Sequence, residues 1–134
     1  MADMRKFEAM VAKALGPNWV FEEQSFEIKT KVRGQVCLEC GCPMYRIAVY
    51  TPDFTDGNNT VIEVKGGSFK PVDQARYKRF VKQHPELKYV ICFRSNIKLR
   101  NLKDRPTVKQ WGEMNNIPVV VGIEELKEFI ACTT

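Results

Sequence analysis

The runs Tyr50-Thr-Pro-Asp53-Phe54 and Val61-Ile-Glu63-Val-Lys65-Gly66 constrain this chain more than any other part of it. Apolar and charged residues alternate over Val61–Lys65, which predicts a strand. Residues two apart on a strand share a face. Glu63 and Lys65 therefore point one way, and Ile62 and Val64 point the other way into a core. Asp56-Gly57-Asn58-Asn59 is turn chemistry. It predicts that the preceding strand, Tyr45–Tyr50, folds back on Val61–Lys65 and carries Asp53 to Glu63. Two carboxylates and an ammonium would then converge at a sheet edge. That set suits divalent-metal hydrolysis of a phosphodiester. Carboxylate oxygens hold hard cations, such cations polarise phosphate and acidify water, and a lysine can orient or deprotonate that water. The competing reading is a surface hairpin with a solvated Glu–Lys pair, and spacing alone leaves both open.

The rest of the chain predicts an α/β fold. Residues 3–15 read as a helix, with Met4, Phe7, Val11, Ala14 and Leu15 in an apolar stripe. Glu8 lies at the edge of that stripe, either solvated at the border or directed into a site. Residues 19–32 read as one long strand that Gly34 breaks. Residues 72–84 predict a helix stopped by Pro85. Tyr77, Phe80, Val81 and His84 lie on one face of it, and Lys78, Arg79 and Lys82 on the other. His84 reads as packing or a cap rather than a ligand. Tyr89–Phe93 predicts a buried central strand. A long basic loop over 95–106 follows, then a helix opening at Thr107 with capping-box spacing to Gln110. Ile117–Val121 predicts a strand and 124–131 a last helix. Helices flanking a mixed sheet follow from this order.

A chain of 134 residues is one domain, 1–134, with a core of its own. It has no apolar run of membrane-spanning length and no signal-peptide core behind its charged first residues, which predicts a cytoplasmic protein. The net charge is +5, unevenly placed. Lys65–Lys82 holds six basic residues against Asp73, and Arg94–Arg105 five against Asp104, whereas the last twenty-two residues hold four glutamates and one lysine. A basic middle beside the carboxylates fits a polyanion contacted by one face. An ordinary basic protein with solvated lysines is the alternative.

Motif and layout together resemble the PD-(D/E)xK nuclease core. More closely, Tyr50-Thr-Pro-Asp-Phe54, Glu63-Val-Lys65-Gly66, Gln83-His-Pro-Glu-Leu87, Lys98-Leu99 and Pro106-Thr107 resemble the phage endonuclease I family of Holliday-junction resolvases. The similarity runs from about Phe7 to Val121. It implies a homodimeric, Mg²⁺- or Mn²⁺-dependent endonuclease that cuts four-way and other branched DNA with matched nicks, in the cytoplasm of a bacterial cell. Asp53 would be the central metal ligand and Glu63 the second. The main-chain carbonyl of Val64 would be a further ligand, and Lys65 would serve the attacking water or the transition state. Glu8 matches a glutamate that the family takes from its first helix. Family dimers exchange an N-terminal segment, here 3–34, so Glu8 would serve the Asp53 site of the other subunit. Lys70, Arg76, Lys78, Arg79, Lys98 and Arg100 are the candidate DNA contacts, and the resemblance places the loop of Lys98 and Arg100 near the scissile strand. The family's basic extensions have no counterpart here, which implies weaker or more salt-sensitive binding. A restriction-like or repair nuclease acting on duplex DNA would share the same chemistry. A non-catalytic DNA-binding module would need only the basic runs.

Cys37-Leu-Glu-Cys40-Gly-Cys42-Pro43 looks inserted relative to that family. An odd total of five cysteines argues against a disulfide framework. Cys37-x-x-Cys40-Gly has the shape of one zinc knuckle, with Cys42 as a third ligand. Zn²⁺ could sit within one subunit or between two. The alternative is a turn with incidental thiols.

Overall fold

The computed structural model describes residues 5–132; Met4 and the expected start of the first helix lie outside them. Helix α1 (Lys6–Leu15) buries Phe7 and Val11, and it stops at Gly16, whose φ of 87° favours glycine.

The strand expected over 19–32 is two strands in two sheets, β1 (Val20–Phe21) and β2 (Phe26–Val36). Glu22 takes a φ of 51°, and its N–H donates to the Asp53 carbonyl at 2.9 Å, which turns the chain out of the first sheet. The aromatic residues divide accordingly. Phe21 packs on Phe54 with ring centroids 5.2 Å apart, whereas Phe26 meets Phe80 edge-on at 5.3 Å. Gly34 does not break the second strand. Pairing becomes irregular between Lys31 and Val36 and then resumes, with the bend absorbed at Gly34.

The expected pairing of Tyr45–Tyr50 with Val61–Lys65 is also absent. β3 (Pro43–Tyr50) pairs antiparallel with β2 instead, and the two form a separate two-stranded arm. Pro52, which has no N–H to donate, follows the end of that ladder. The short β4 (Phe54–Thr55) is what folds back on β5 (Thr60–Lys65). The turn between them is the one expected, with Asp56 Oδ1 accepting from the N–H groups of Asn58 at 2.9 Å and Thr60 at 3.2 Å.

Helix α2 (Pro71–Gln83), β6 (Lys88–Phe93), α3 (Val108–Asn115), β7 (Val119–Val121) and α4 (Gly122–Cys132) complete the chain. The central sheet runs β1-β4-β5-β6-β7, antiparallel on the β1 side and parallel from β5 onward. It is a mixed sheet with helices on both faces. Alternation along β5 and β6 sends Val61, Tyr89, Ile91 and Phe93 to α2 and α3, into a cluster with Tyr77, Phe80, Val108 and Trp111. Ile62, Val64, Val90 and Cys92 go to the opposite face, with Phe7 and Val11 of α1 and Leu126 of α4. The expected capping box forms: Thr107 Oγ1 accepts from Gln110 N–H, and the Gln110 side chain accepts from Thr107 N–H. Among the described residues no helix is long and apolar enough to cross a membrane.

The arm is held at its base by the end of α2. Gln83 Oε1 accepts from Lys29 N–H at 2.8 Å, and Gln83 Nε2 donates to Lys29 O at 2.6 Å. His84 Nε2 lies 2.9 Å from Glu27 O, with its ring against Phe26 and Phe80. His84 is thus a packing and edge-satisfying residue, as its position in the sequence suggests.

Candidate active site

Asp53 leads into β4 and is buried, at 7% exposure. Its Oδ2 accepts the Val64 N–H at 2.7 Å, so the first carboxylate is locked to the strand that carries the second. Glu63 lies on the α2 face of β5. Both of its oxygens are engaged: Tyr50 OH donates to Oε1 at 2.5 Å and Tyr77 OH to Oε2 at 3.2 Å. Tyr50 also shares a hydrogen bond with Tyr89 at 2.8 Å. Three tyrosines from β3, α2 and β6 thus fix the orientation of one carboxylate.

Glu8 comes from the opposite face of the sheet. Its Oε1 accepts from Arg5 N–H at 2.8 Å, which holds the side chain at the helix start. Glu8, Glu22 and Asp53 each offer an oxygen, all within 4.8 Å of one another. The Glu8–Asp53 approach is made within one chain. Glu22 carries no signal of its own in the sequence, where it reads as part of an unbroken strand. The left-handed turn at Glu22 is what aims it here. A non-glycine residue in that region commonly marks a functional constraint.

The electrostatics of the cluster are those of excess negative charge. Burial is the largest cause raising the Asp53 carboxyl to about 9, followed by repulsion from Glu63, with Glu8 adding to it; the Val64 N–H acts in the other direction. Burial also raises Glu63, whereas the hydroxyls of Tyr50 and Tyr77 and the charge of Lys65 lower it. Buried carboxylates that repel each other at one point need a cation or a proton. The donor set is all oxygen, which suits Mg²⁺ or Mn²⁺ over a soft metal.

Lys65 shares the α2 face with Glu63, and its Nζ is held by Asp73 Oδ2 at 3.2 Å, with both side chains largely buried. Asp73 stands in the first turn of α2; in the sequence it reads only as one acid in a basic run. Arg76 reaches the same carboxylate at 3.9 Å, so this expected DNA contact is partly occupied within the fold.

The other basic candidates fall into two groups. Lys70, Lys98 and Arg100 line one cleft with Phe69 and Ile97, and Arg100 and Arg105 line the adjoining cleft against Trp111. These residues belong to the connections that leave the C-terminal ends of β5 and β6, where open α/β sheets gather ligands. The two loops meet at Arg94 N–H, which donates to Lys65 O at 3.1 Å. Arg105 joins this group although its sequence position does not single it out. Lys98 Nζ donates to Lys103 O at 2.7 Å, and Arg100 takes a φ of 58°. Lys78 and Arg79 are exposed on the outer face of α2.

No protein-family model matches this chain, and a comparison with curated proteins finds no match.

Proposed function

We propose that this chain is a metal-dependent endodeoxyribonuclease with a PD-(D/E)xK core, which acts as a homodimer on four-way and other branched DNA. The observation that supports the reading is that Glu8 and Asp53, together with Glu22, offer oxygens within 4.8 Å of one another, beside Glu63, whose charge acts on Asp53 and which in turn feels the charge of Lys65. The resemblance of the Tyr-Thr-Pro-Asp-Phe, Glu-Val-Lys-Gly and Gln-His-Pro-Glu-Leu runs to junction resolvases supplies the substrate.

Asp53, Glu63, Glu8 and the Val64 carbonyl would hold Mg²⁺ or Mn²⁺, with Glu22 in reach of the same point. A bound divalent cation would neutralise charge on the scissile phosphate and acidify a nearby water. The chain's own groups do the rest. Asp73 orients the Lys65 ammonium, which can stabilise negative charge developing on the phosphoryl oxygens. Tyr50 and Tyr77 keep Glu63 from rotating away. Lys70, Lys98, Arg100 and Arg105 bind phosphates along the strand, which positions DNA without reading its sequence. A four-way junction presents two equivalent scissile phosphates, and a two-fold dimer presents two equivalent sites.

The test is to mix protein and Mg²⁺ with a four-way junction, and separately with a linear duplex of the same sequence. Paired nicks in the junction and an intact duplex are expected. Equal cutting of both would replace this reading with a duplex nuclease. Binding without cutting would replace it with a non-catalytic module.

A further inference from the structure

The arm formed by β2 and β3 ends in a turn that carries Cys37, Cys40 and Cys42, well apart in sequence from the carboxylates. All three are free thiols, and Cys40 and Cys42 are exposed. The ladder pairs Val36 with Pro43, so the six residues between them form a closed turn. Cys37 N–H donates to Cys42 O, and Gly41 N–H donates to Cys37 O, each at 2.8 Å. Gly41 takes a φ of 71°, the left-handed region open to glycine. That reversal brings Cys42 N–H to Cys40 Sγ at 3.4 Å. The thiols of Cys42 and Cys37 lie within hydrogen-bonding reach of Cys40 as well.

Cys40 Sγ thus lies near each of the other two thiols, on the spacing Cys-x-x-Cys-Gly-Cys and with a main-chain donor directed at it, while the three sulfurs together are not within 4.8 Å of one another. The spacing has the local form of a zinc knuckle. The surroundings give the turn a reason to hold a metal. Leu38 at its tip is fully exposed, and Val36 and Met44 beside it are exposed too. Beyond the base, where α2 holds the arm, its tip is exposed on both strands, and a metal is one way to staple such an element.

We propose that Cys37, Cys40 and Cys42 bind one Zn²⁺ per chain, with the fourth position open to water or to a donor from another molecule. Closure onto the ion needs rotation of side chains that are largely exposed. Soft thiolates do not select Mg²⁺, and the oxygen donors around Asp53 do not select Zn²⁺ over thiolates. The two sites would therefore load independently. This proposal does not depend on the nuclease reading.

The experiment uses the full chain, reduced, exposed to a small excess of Zn²⁺ and desalted. Metal content is then measured by elemental analysis. A parallel sample loaded with Co²⁺ is read for thiolate-to-cobalt charge transfer and tetrahedral d–d bands. About one ion per chain and a thiolate-rich tetrahedral spectrum are expected. Changes to groups behind a ligand commonly weaken metal binding 10–100-fold, so Cys40→Ser, which removes a ligand, should weaken it by more than about a hundredfold. Cys132→Ser should leave it unchanged. Circular dichroism checks that the exposed substitution at Cys40 leaves the fold intact. No ion retained by the parent protein would overturn the proposal, as would equal zinc in the Cys40→Ser variant. A Cys37–Cys40 disulfide in protein isolated without oxygen would do the same.

Discussion

Asp53 is the residue on which the candidate site turns, because it is a buried acid tied to a second acid. Its folded carboxyl stands near 9 against an ordinary value of 3.8. The protonated form is therefore favoured in the fold, and the unfolded chain releases its proton first as pH rises. Stability from this group is complete below the unfolded value and is lost as pH climbs towards the folded one. Without added cation, the melting temperature should fall between about pH 5 and about pH 8. Mn²⁺ should raise it more at the upper end, since the cation favours the ionised form. Asp53→Asn keeps an acceptor for the Val64 N–H and removes the charge, so it should flatten the pH slope while cleavage is lost. Asp53→Ala should likewise abolish cleavage and leave junction binding intact, since the basic loops are untouched; cutting at the parent rate would show that the site is misassigned. Lys65 is a different case. In the proposed reaction it would supply charge where negative charge develops, an effect worth on the order of 3 kcal/mol. Lys65→Met should slow cleavage by about a hundredfold or more, read in single-turnover assays. A loss below about tenfold would leave Lys65 only as the partner of Asp73.

At the scale of elements, helices and buried strands are legible in the sequence because each carries its own periodicity and stops. Pro71 opens α2 and Pro85 follows it, Thr107 and Gln110 cap α3, and Tyr89–Phe93 is apolar throughout. The pairing of strands is not legible in the same way. Val20–Phe21 and Phe26–Val36 have similar composition, and only the Glu22 turn, fixed by a bond to Asp53, assigns them to different sheets. Reading them as one strand hides Glu22, and it gives β3 a partner that belongs to β4. Asp73 escapes notice for a related reason: its role emerges only when α2 crosses the end of β5. Close packing between elements is equally invisible in sequence. Gly112 reads as a poor helix residue, yet a Cβ there would meet Val119 Cγ2 at 2.6 Å and the Ile117 carbonyl at 2.7 Å. The turn between α3 and β7 can be this tight only without a side chain. Gly112→Ala should therefore destabilise the protein by on the order of 2 kcal/mol, as overpacking does, although alanine is the better helix former. Urea denaturation measures it, and an unchanged midpoint would mean that β7 shifts freely.

At the scale of the whole molecule, the acid cluster and the basic loops share the end of the sheet where β5 and β6 finish, so under the proposed function DNA phosphates would meet the basic loops and the candidate metal ligands together. Neutralising any one of Lys70, Lys98, Arg100 and Arg105 should reduce the salt slope of junction binding by about one unit; affinities unchanged at every salt in a triple neutral variant would place the DNA elsewhere. Assembly belongs to the same scale, and the position of Glu8 makes it testable. Within one chain α1 packs beside α4 and delivers Glu8 to Asp53. If two chains exchange their N-terminal segments, the same contacts form between subunits, and each site takes Glu8 from one chain and Asp53 from the other. Refolding a mixture of Glu8→Ala and Asp53→Ala proteins distinguishes the arrangements. In an exchanged heterodimer one site receives both substitutions and the other receives neither, so single-strand nicking of a junction should return. Sites built within single chains would each keep one lesion, and no mixture would cut. We expect nicking to return, at up to about half the parental number of sites in the heterodimer. A chain that sediments as a monomer at micromolar concentration would exclude the exchanged dimer outright, and with it the matched nicking that two linked sites make possible.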